Sequence, residues 1–118
     1  LEFRRVLFRS LNGGHRRRVE ILRALINKPK LLLLDEATVG LDLKSRFDIL
    51  SYVKELVKTK NISVLWITHL FDEIDENDDI SIIKNGEIIE SGLAKDIVKK
   101  HNKENLVDTF NELTKALK

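Results

Sequence analysis

Two short apolar runs, with a helical stretch between them, constrain this 118-residue chain more than any other feature. Leu31–Leu34 is four leucines ending on Asp35-Glu36, and Ile62–Ile67 (ISVLWI) ends on Thr68-His69. Neither run alternates apolar with polar residues, so each reads as a strand buried on both faces, the pattern of a parallel sheet. Four leucines carry no period and on that ground alone also fit a turn of helix; Pro29 before them and the abrupt pair of carboxylates after them favour the strand. Between the runs, Leu43–Lys58 repeats Ile49, Leu50, Val53, Leu56 and Val57 at helical spacing. Strand, crossover helix and strand make a βαβ unit, which is right-handed with its strands parallel. The carboxyl ends of both strands then lie on one edge of the sheet, where α/β folds bind their ligands. Neighbouring strands sit about 5 Å apart, so Asp35-Glu36 and Thr68-His69 are expected to converge although more than thirty positions separate them.

The remaining chain continues the α/β pattern. Gly13-Gly14 opens a helix carrying Ile21, Leu22, Leu25 and Ile26 on one face and ending before Pro29. A short acidic helix is expected over Leu70–Asn77, then a β-hairpin: Ile80–Lys84, the turn Asn85-Gly86, and Glu87–Glu90. Asn-Gly between two apolar runs is a strong hairpin signal because both turn positions need a positive φ. From Asn105 to Lys118, Leu106, Phe110, Leu113 and Leu117 recur at helical spacing and predict a packing helix.

Composition narrows the chemistry. Without cysteine there is no disulfide, no thiol nucleophile and no thiolate metal site. No unbroken run of large apolar residues exceeds the four of Leu31–Leu34, far short of the roughly 20 needed to span a bilayer. The opening ten residues, LEFRRVLFRS, lack the apolar core and cleavage site of a signal peptide. They match, at every position, one reading frame of the common sequencing-library adapter CTGGAGTTCAGACGTGTGCTCTTCCGATCT. We therefore expect residues 1–10 to be foreign and the natural protein to continue upstream; the rival reading is a basic amphipathic arm. Apart from those ten residues, basic and acidic side chains balance, so the formal charge of +2 gives no reason to expect a nucleic acid partner.

Three short patterns could carry chemistry. Leu11-Asn12-Gly13-Gly14-His15 sets an N-capping side chain and two glycines before a helix, leaving backbone N–H groups and the positive end of the dipole facing outward, which suits phosphate. Asp35-Glu36 at the mouth of a buried strand suits a magnesium ligand beside a general base. His69 closes the second strand. Each alone is also what an ordinary helix cap or strand end looks like. The acidic run Asp72–Asp79 invites a calcium reading, but a loop starting at Asp75 has Ile80 where a glycine is required, so the run is expected to be a solvated face. Arg16, Arg17 and Arg18, on the first turns of one helix, are likewise expected to be exposed.

Taken together and in order, Leu-Asn-Gly-Gly-His, then Leu31–Asp42 (LLLLDEATVGLD), then Ile67-Thr68-His69 closely resemble the C-terminal half of ATP-binding cassette (ABC) ATPases. The resemblance covers everything from Leu11 to the hairpin. It implies a P-loop NTPase core of the RecA-like kind, ATP and Mg2+ as ligands, and the following roles. Leu11, Asn12, Gly13, Gly14 and His15 form the signature motif, which in the family meets the γ-phosphate held by the opposite subunit. Asp35 holds magnesium, and Glu36 orients and deprotonates the attacking water. Val39–Asp42 is the loop that communicates across the dimer, and His69 senses the γ-phosphate. Asn12 departs from the usual serine and His15 from the usual glutamine, though asparagine can still cap a helix and donate to phosphate. Ala37 replaces the usual proline, which is expected to loosen that turn. The wording around the signature is most similar to ATP-binding subunits of transporters associated with bacterial quinoprotein alcohol oxidation.

No GxxxxGK[ST] loop occurs in the sequence, and in the resembled family that loop lies upstream of the signature. The resemblance therefore implies a catalytic base and a γ-phosphate sensor without a phosphate cradle, inactive alone. For the intact protein it implies ATP hydrolysis driving transport, a transmembrane permease partner, a second ATP-binding subunit packed head to tail, and a place on the cytoplasmic face of a bacterial plasma membrane. The rivals are a soluble ABC ATPase of translation or DNA repair, and a non-catalytic scaffold; the presence of both Glu36 and His69 argues against the scaffold. Resequencing the locus from an independently prepared library should replace LEFRRVLFRS with a frame that encodes a phosphate-binding loop and runs into Leu11. Recovering LEFRRVLFRS intact would refute its foreign origin.

Overall fold

A computed structural model of the chain describes residues 13–115. They fall into two compact units divided between His69 and Leu70. The first unit holds α1 (Gly13–Leu25), β1 (Leu31–Asp35), α2 (Leu43–Lys60) and β2 (Ser63–Ile67). In the second, a short 3-10 turn (Phe71–Glu73) leads to β3 (Asp79–Lys84), β4 (Glu87–Leu93), α3 (Ala94–Lys100) and α4 (Leu106–Lys115). The architecture is mixed α/β, with one parallel and one antiparallel strand pair.

The βαβ unit forms as its sequence dictates. Asp42 caps α2 by accepting a hydrogen bond from the Ser45 N–H, and Asn61 ends the helix in the left-handed conformation that frees the chain to turn into β2. Strands β1 and β2 pair in parallel from Leu31↔Ser63 to Asp35↔Ile67. Ile21 of α1 and Ile49, Val53 and Leu56 of α2 pack with Leu32 and Ile62 into one core, flanked by Leu34, Tyr52, Val64 and Trp66.

That core covers one face of the strand pair, and here the structure corrects the expectation of strands buried on both faces. Burial alternates along both strands: Leu32 is 5% exposed, whereas Leu31, Leu33, Leu65 and Ile67 are 53%, 62%, 53% and 47% exposed. Strict period-2 geometry sends alternate leucines to opposite faces, and the two helices lie on one of them. The four-leucine run thus records two faces, one of which the described residues leave open.

In the second unit the hairpin turns at Asn85 and Gly86, with φ of 52° and 77°, as the Asn-Gly pair requires. Nothing lies within 4 Å of a side chain added at Gly86, so the backbone angle alone calls for glycine there. The strands run further than expected, from Asp79 to Leu93, because a bulge between Ile82 and Ile83 restores pairing beyond it. The sequence offered no signal for α3: its seven residues bury only Ala94 and Ile97, too few apolar positions to show a period. The tail helix is α4, begun by Asn105, whose Oδ1 accepts from the Asp108 N–H at 2.8 Å. Phe110 packs against Phe71 with ring centroids 5.2 Å apart. Leu117, the last repeat of that face, lies outside the described residues.

The acidic helix over Leu70–Asn77 does not form. Only Phe71–Glu73 coils, and Ile74 is already extended at φ −102°. Asp78 supplies the reason: its carboxylate accepts from the Asp75 N–H at 2.8 Å while its own N–H donates to the Asp75 carbonyl at 3.0 Å, a closed turn that takes the groups a helix would use. The run is not wholly solvated either, since Glu73 is 5% exposed. The carboxylate of Glu90 in β4 accepts from His101 at 3.0 Å and from Lys100 at 3.2 Å, and these bonds hold it below the usual carboxylate range.

The uneven burial of the strand pair gives a direct test. Ile49 has no exposed surface, so Ile49→Ala should cost about 3 kcal/mol in chemical denaturation. Leu33→Ala, on the open face, should cost under about 1 kcal/mol.

Candidate active-site edge

The end of β1 is fixed by its neighbour. Asp35 is in register with Ile67, and the Glu36 N–H donates to the Ile67 carbonyl at 2.8 Å, carrying the ladder one residue past the strand. Glu36 then turns sharply with φ at +49°, a left-handed conformation that costs a residue with a side chain about 1 kcal/mol and is tolerated where surrounding structure holds it. Three features hold it: the bond to Ile67, a bond from the Val39 N–H to the Glu36 carbonyl at 3.1 Å, and the burial of Ala37 and Thr38 just beyond.

The outcome is a direct contact between the two strand ends. Glu36 Oε1 and His69 Nδ1 lie 2.7 Å apart, the imidazole N–H donating to the carboxylate. Both side chains are open to water, His69 68% and Glu36 47% exposed. The pair therefore adds little to stability, but its atoms can be reached by a substrate. Asp35 is also exposed, at the last position of β1. The structure thus brings Glu36 and His69 into contact, with Asp35 the neighbouring residue at the end of β1.

The other sequence candidates lie elsewhere or do different work. Gly13, Gly14 and His15 form the first turn of α1, with His15 exposed; Leu11 and Asn12 lie outside the described residues. Asp42 acts as the cap of α2: its Oδ1 accepts from the Ser45 N–H at 2.8 Å, and this bond holds its carboxyl below the usual range. Two arginines expected to be solvated instead have structural tasks. Arg17 donates to the Val39 carbonyl at 3.3 Å, tying α1 to the loop that follows the acidic pair. Arg18 sits 5.6 Å above the Tyr52 ring, a cation–π contact onto α2. Their spacing one helical turn before Ile21 was visible in the sequence, but the backbone carbonyl that Arg17 meets was not.

Among the described residues no group of three or more His, Asp or Glu side chains is placed to hold a metal ion. Magnesium, however, is commonly bound through one or two carboxylates, with phosphate oxygens and water completing its shell. Asp35, exposed at the end of β1, offers one such carboxylate and is not part of a self-sufficient metal cage.

An acid pair and a histidine at the carboxyl edge of a parallel βαβ unit define an α/β ligand-binding edge. The family model described as "ABC transporter" matches residues 2–39, a stretch that begins within the opening ten residues. A methionine import ATP-binding protein (MetN) of Histophilus somni is 44% identical over 89 residues, covering 75% of this chain and 26% of the relative. An energy-coupling factor transporter ATP-binding protein (EcfA) of Pediococcus pentosaceus is 37% identical over 88 residues, 75% of this chain and 31% of the relative. ABC transporter G family member 20 of Dictyostelium discoideum is 32% identical over 105 residues, 89% of this chain and 14% of its own length. Over most of its length the chain is thus similar to ABC transporter ATP-binding proteins, and that similarity implies the P-loop NTPase fold. It spans less than a third of the length of these relatives. None of them supports the finer resemblance to the quinoprotein alcohol oxidation subgroup.

The cap of α2 makes a pH-dependent prediction. Because the carboxyl of Asp42 titrates lower when it caps the helix, its contribution to stability is complete above the ordinary carboxylate range and fades as pH falls through the lowered value. Asp42→Ala should lose helicity at neutral pH by circular dichroism and remove that acid dependence. Asp42→Asn should keep the helicity while removing the dependence.

Proposed function

We propose that this chain is the C-terminal half of a nucleotide-binding subunit that hydrolyses ATP to drive transport through a membrane partner. The observation that carries the reading is the 2.7 Å contact between Glu36 and His69 at the carboxyl edge of β1 and β2, on a chain similar to ABC transporter ATP-binding proteins. A general base must come within hydrogen-bond reach of the water it activates, and an exposed carboxylate held against an imidazole is suited to accept a proton from that water. Asp35 is the residue to hold Mg2+, which when bound supplies charge neutralisation to the phosphates. His69, the residue the resemblance gives as sensor of the γ-phosphate, has its Nδ1 turned to Glu36.

Two further parts rest on the family resemblance. Leu11–His15, the signature residues, act on a nucleotide bound by a second ATP-binding subunit packed head to tail, and Val39–Asp42 pass the state of one site to the other. The Arg17 bond to the Val39 carbonyl supports such coupling, because it joins the signature helix to that loop. A transmembrane permease is the remaining partner, with this subunit peripheral on the cytoplasmic face of a bacterial plasma membrane. No described helix is long and apolar enough to cross a bilayer. On their match to the adapter we take residues 1–10 to be foreign to this machinery, with the family match beginning at residue 2. Phosphoryl transfer depends on positioning and charge stabilisation, so the 118 residues, which hold no phosphate-binding loop, are inactive until joined to the upstream half.

Glu36→Gln in the intact protein should leave Mg-ATP binding within about twofold and slow hydrolysis at least about 100-fold, because the amide keeps the shape but takes no proton. Turnover near that of the unsubstituted protein would remove Glu36 from the role of base.

A further inference from the structure

The loop after the acidic pair is held by hydrogen bonds more than by packing. Its inner residues, Ala37 and Thr38, are buried, but Val39 is 50% exposed and a side chain added at Gly40 would meet nothing within 4 Å. Overlapping turns shape it: the Val39 N–H donates to the Glu36 carbonyl at 3.1 Å, and the Leu41 N–H to the Thr38 carbonyl at 3.2 Å. These bonds close the loop on itself, whereas the bond from Arg17 reaches it from α1. The Arg17 Nη2 donates to the Val39 carbonyl at 3.3 Å across 22 positions of sequence. Its other terminal nitrogen, Nη1, lies 3.7 Å from Glu20 Oε2, one turn further along α1, so one acceptor orients the planar guanidinium while the other receives its hydrogen bond.

We propose that Arg17 is a positioning residue for Glu36, acting through Val39. The peptide groups on both sides of Val39 are committed, its N–H to the Glu36 carbonyl and its own carbonyl to α1. A shift of α1 against the strand edge is thereby passed to the Glu36 turn, the turn from which Oε1 meets His69 Nδ1. On its strand side Glu36 is fixed by the bond to the Ile67 carbonyl, so the loop side is where its direction is set. Without the guanidinium, that side rests on a loop tip with little packing of its own, and the carboxylate is held less firmly against the imidazole. Lysine in place of Arg17 keeps a donor on a long stem but loses the fork that Glu20 orients. This inference rests on the assignment of Glu36 as the base, since it names a residue that aims that base.

The test uses the intact protein and has two readouts. Without nucleotide, amide hydrogen exchange at Val39 reports how firmly the turn is closed. Arg17→Met keeps the apolar stem and a good helix former; it should speed that exchange at least about tenfold and leave the amide of buried Ile49 unchanged. Arg17→Lys should restore most of the protection. In turnover, Arg17→Met should lower kcat about tenfold with KM for Mg-ATP within about twofold, and Arg17→Lys should recover most of that loss. In the Glu36→Gln protein, Arg17→Met should slow turnover no further, because a residue that acts through Glu36 has nothing left to aim. Unchanged exchange at Val39, unchanged kcat, or an equal loss in the Glu36→Gln background would each overturn the proposal. Should Arg17→Met fail to fold, Arg17→Gln, whose donor sits nearer the helix, is read in the same way. Any of these failures leaves the hydrolytic reading standing, which needs only a slow Glu36→Gln protein. Normal turnover in that variant would end the reading, while exchange at Val39 would still show whether Arg17 holds the turn.

Discussion

Everything at the candidate site depends on the parallel register of two five-residue strands. With Leu31 opposite Ser63, the ladder ends at Asp35 opposite Ile67, and the next N–H, that of Glu36, still finds the Ile67 carbonyl. A slip of one residue would reverse the faces of a strand, taking Leu32 and Leu34 out of the core and moving the acidic pair away from His69. Burial of Leu32 under Ile49 and Val53 is thus what fixes the chemistry at the edge. The helix that joins the strands earns its place through Asp42 at one end and Asn61 at the other, which set where the crossover begins and where it hands the chain to β2.

The site shows a division of labour between buried and exposed atoms. The groups that could meet a substrate, Asp35, Glu36 and His69, are open to solvent, and the residues just beyond the acidic pair, Ala37 and Thr38, are buried. Glu36 takes its positive φ between a strand held by its neighbour and a turn held by its own hydrogen bonds. Such an arrangement fits a residue whose direction matters more than its contribution to stability. The Arg17 bond to Val39 extends the same framework to α1, so the helix opened by Gly13 and the loop after the acidic pair are mechanically linked.

Much of this was legible before the structure. The βαβ unit, the convergence of Asp35-Glu36 with His69 and the Asn85-Gly86 turn followed from periodicity, from the rule that parallel strands share a carboxyl edge, and from the φ demands of a two-residue turn. What escaped had physical reasons. Four leucines in a row hid the alternation that geometry imposes on them, so the open face of Leu31 and Leu33 was read as buried. The run Leu70–Asn77 counted as helix by residue type, but the Asp75–Asp78 turn captured its backbone first. Arg17 and Arg18 looked like a solvated face because a carbonyl acceptor and an aromatic ring more than twenty positions away leave no local trace. Asp42, which the resemblance places in the loop that communicates across the dimer, also caps α2, a second task the resemblance does not give.

The central claim is that the register makes Glu36 and His69 one functional unit, and a double-mutant cycle on ATP hydrolysis in the intact protein tests it most directly. Groups that act together are strongly non-additive when removed. Glu36→Gln combined with His69→Ala should therefore be about as slow as the slower single variant. A double variant whose loss equals the product of the two single losses would show that the residues act independently and would contradict the account.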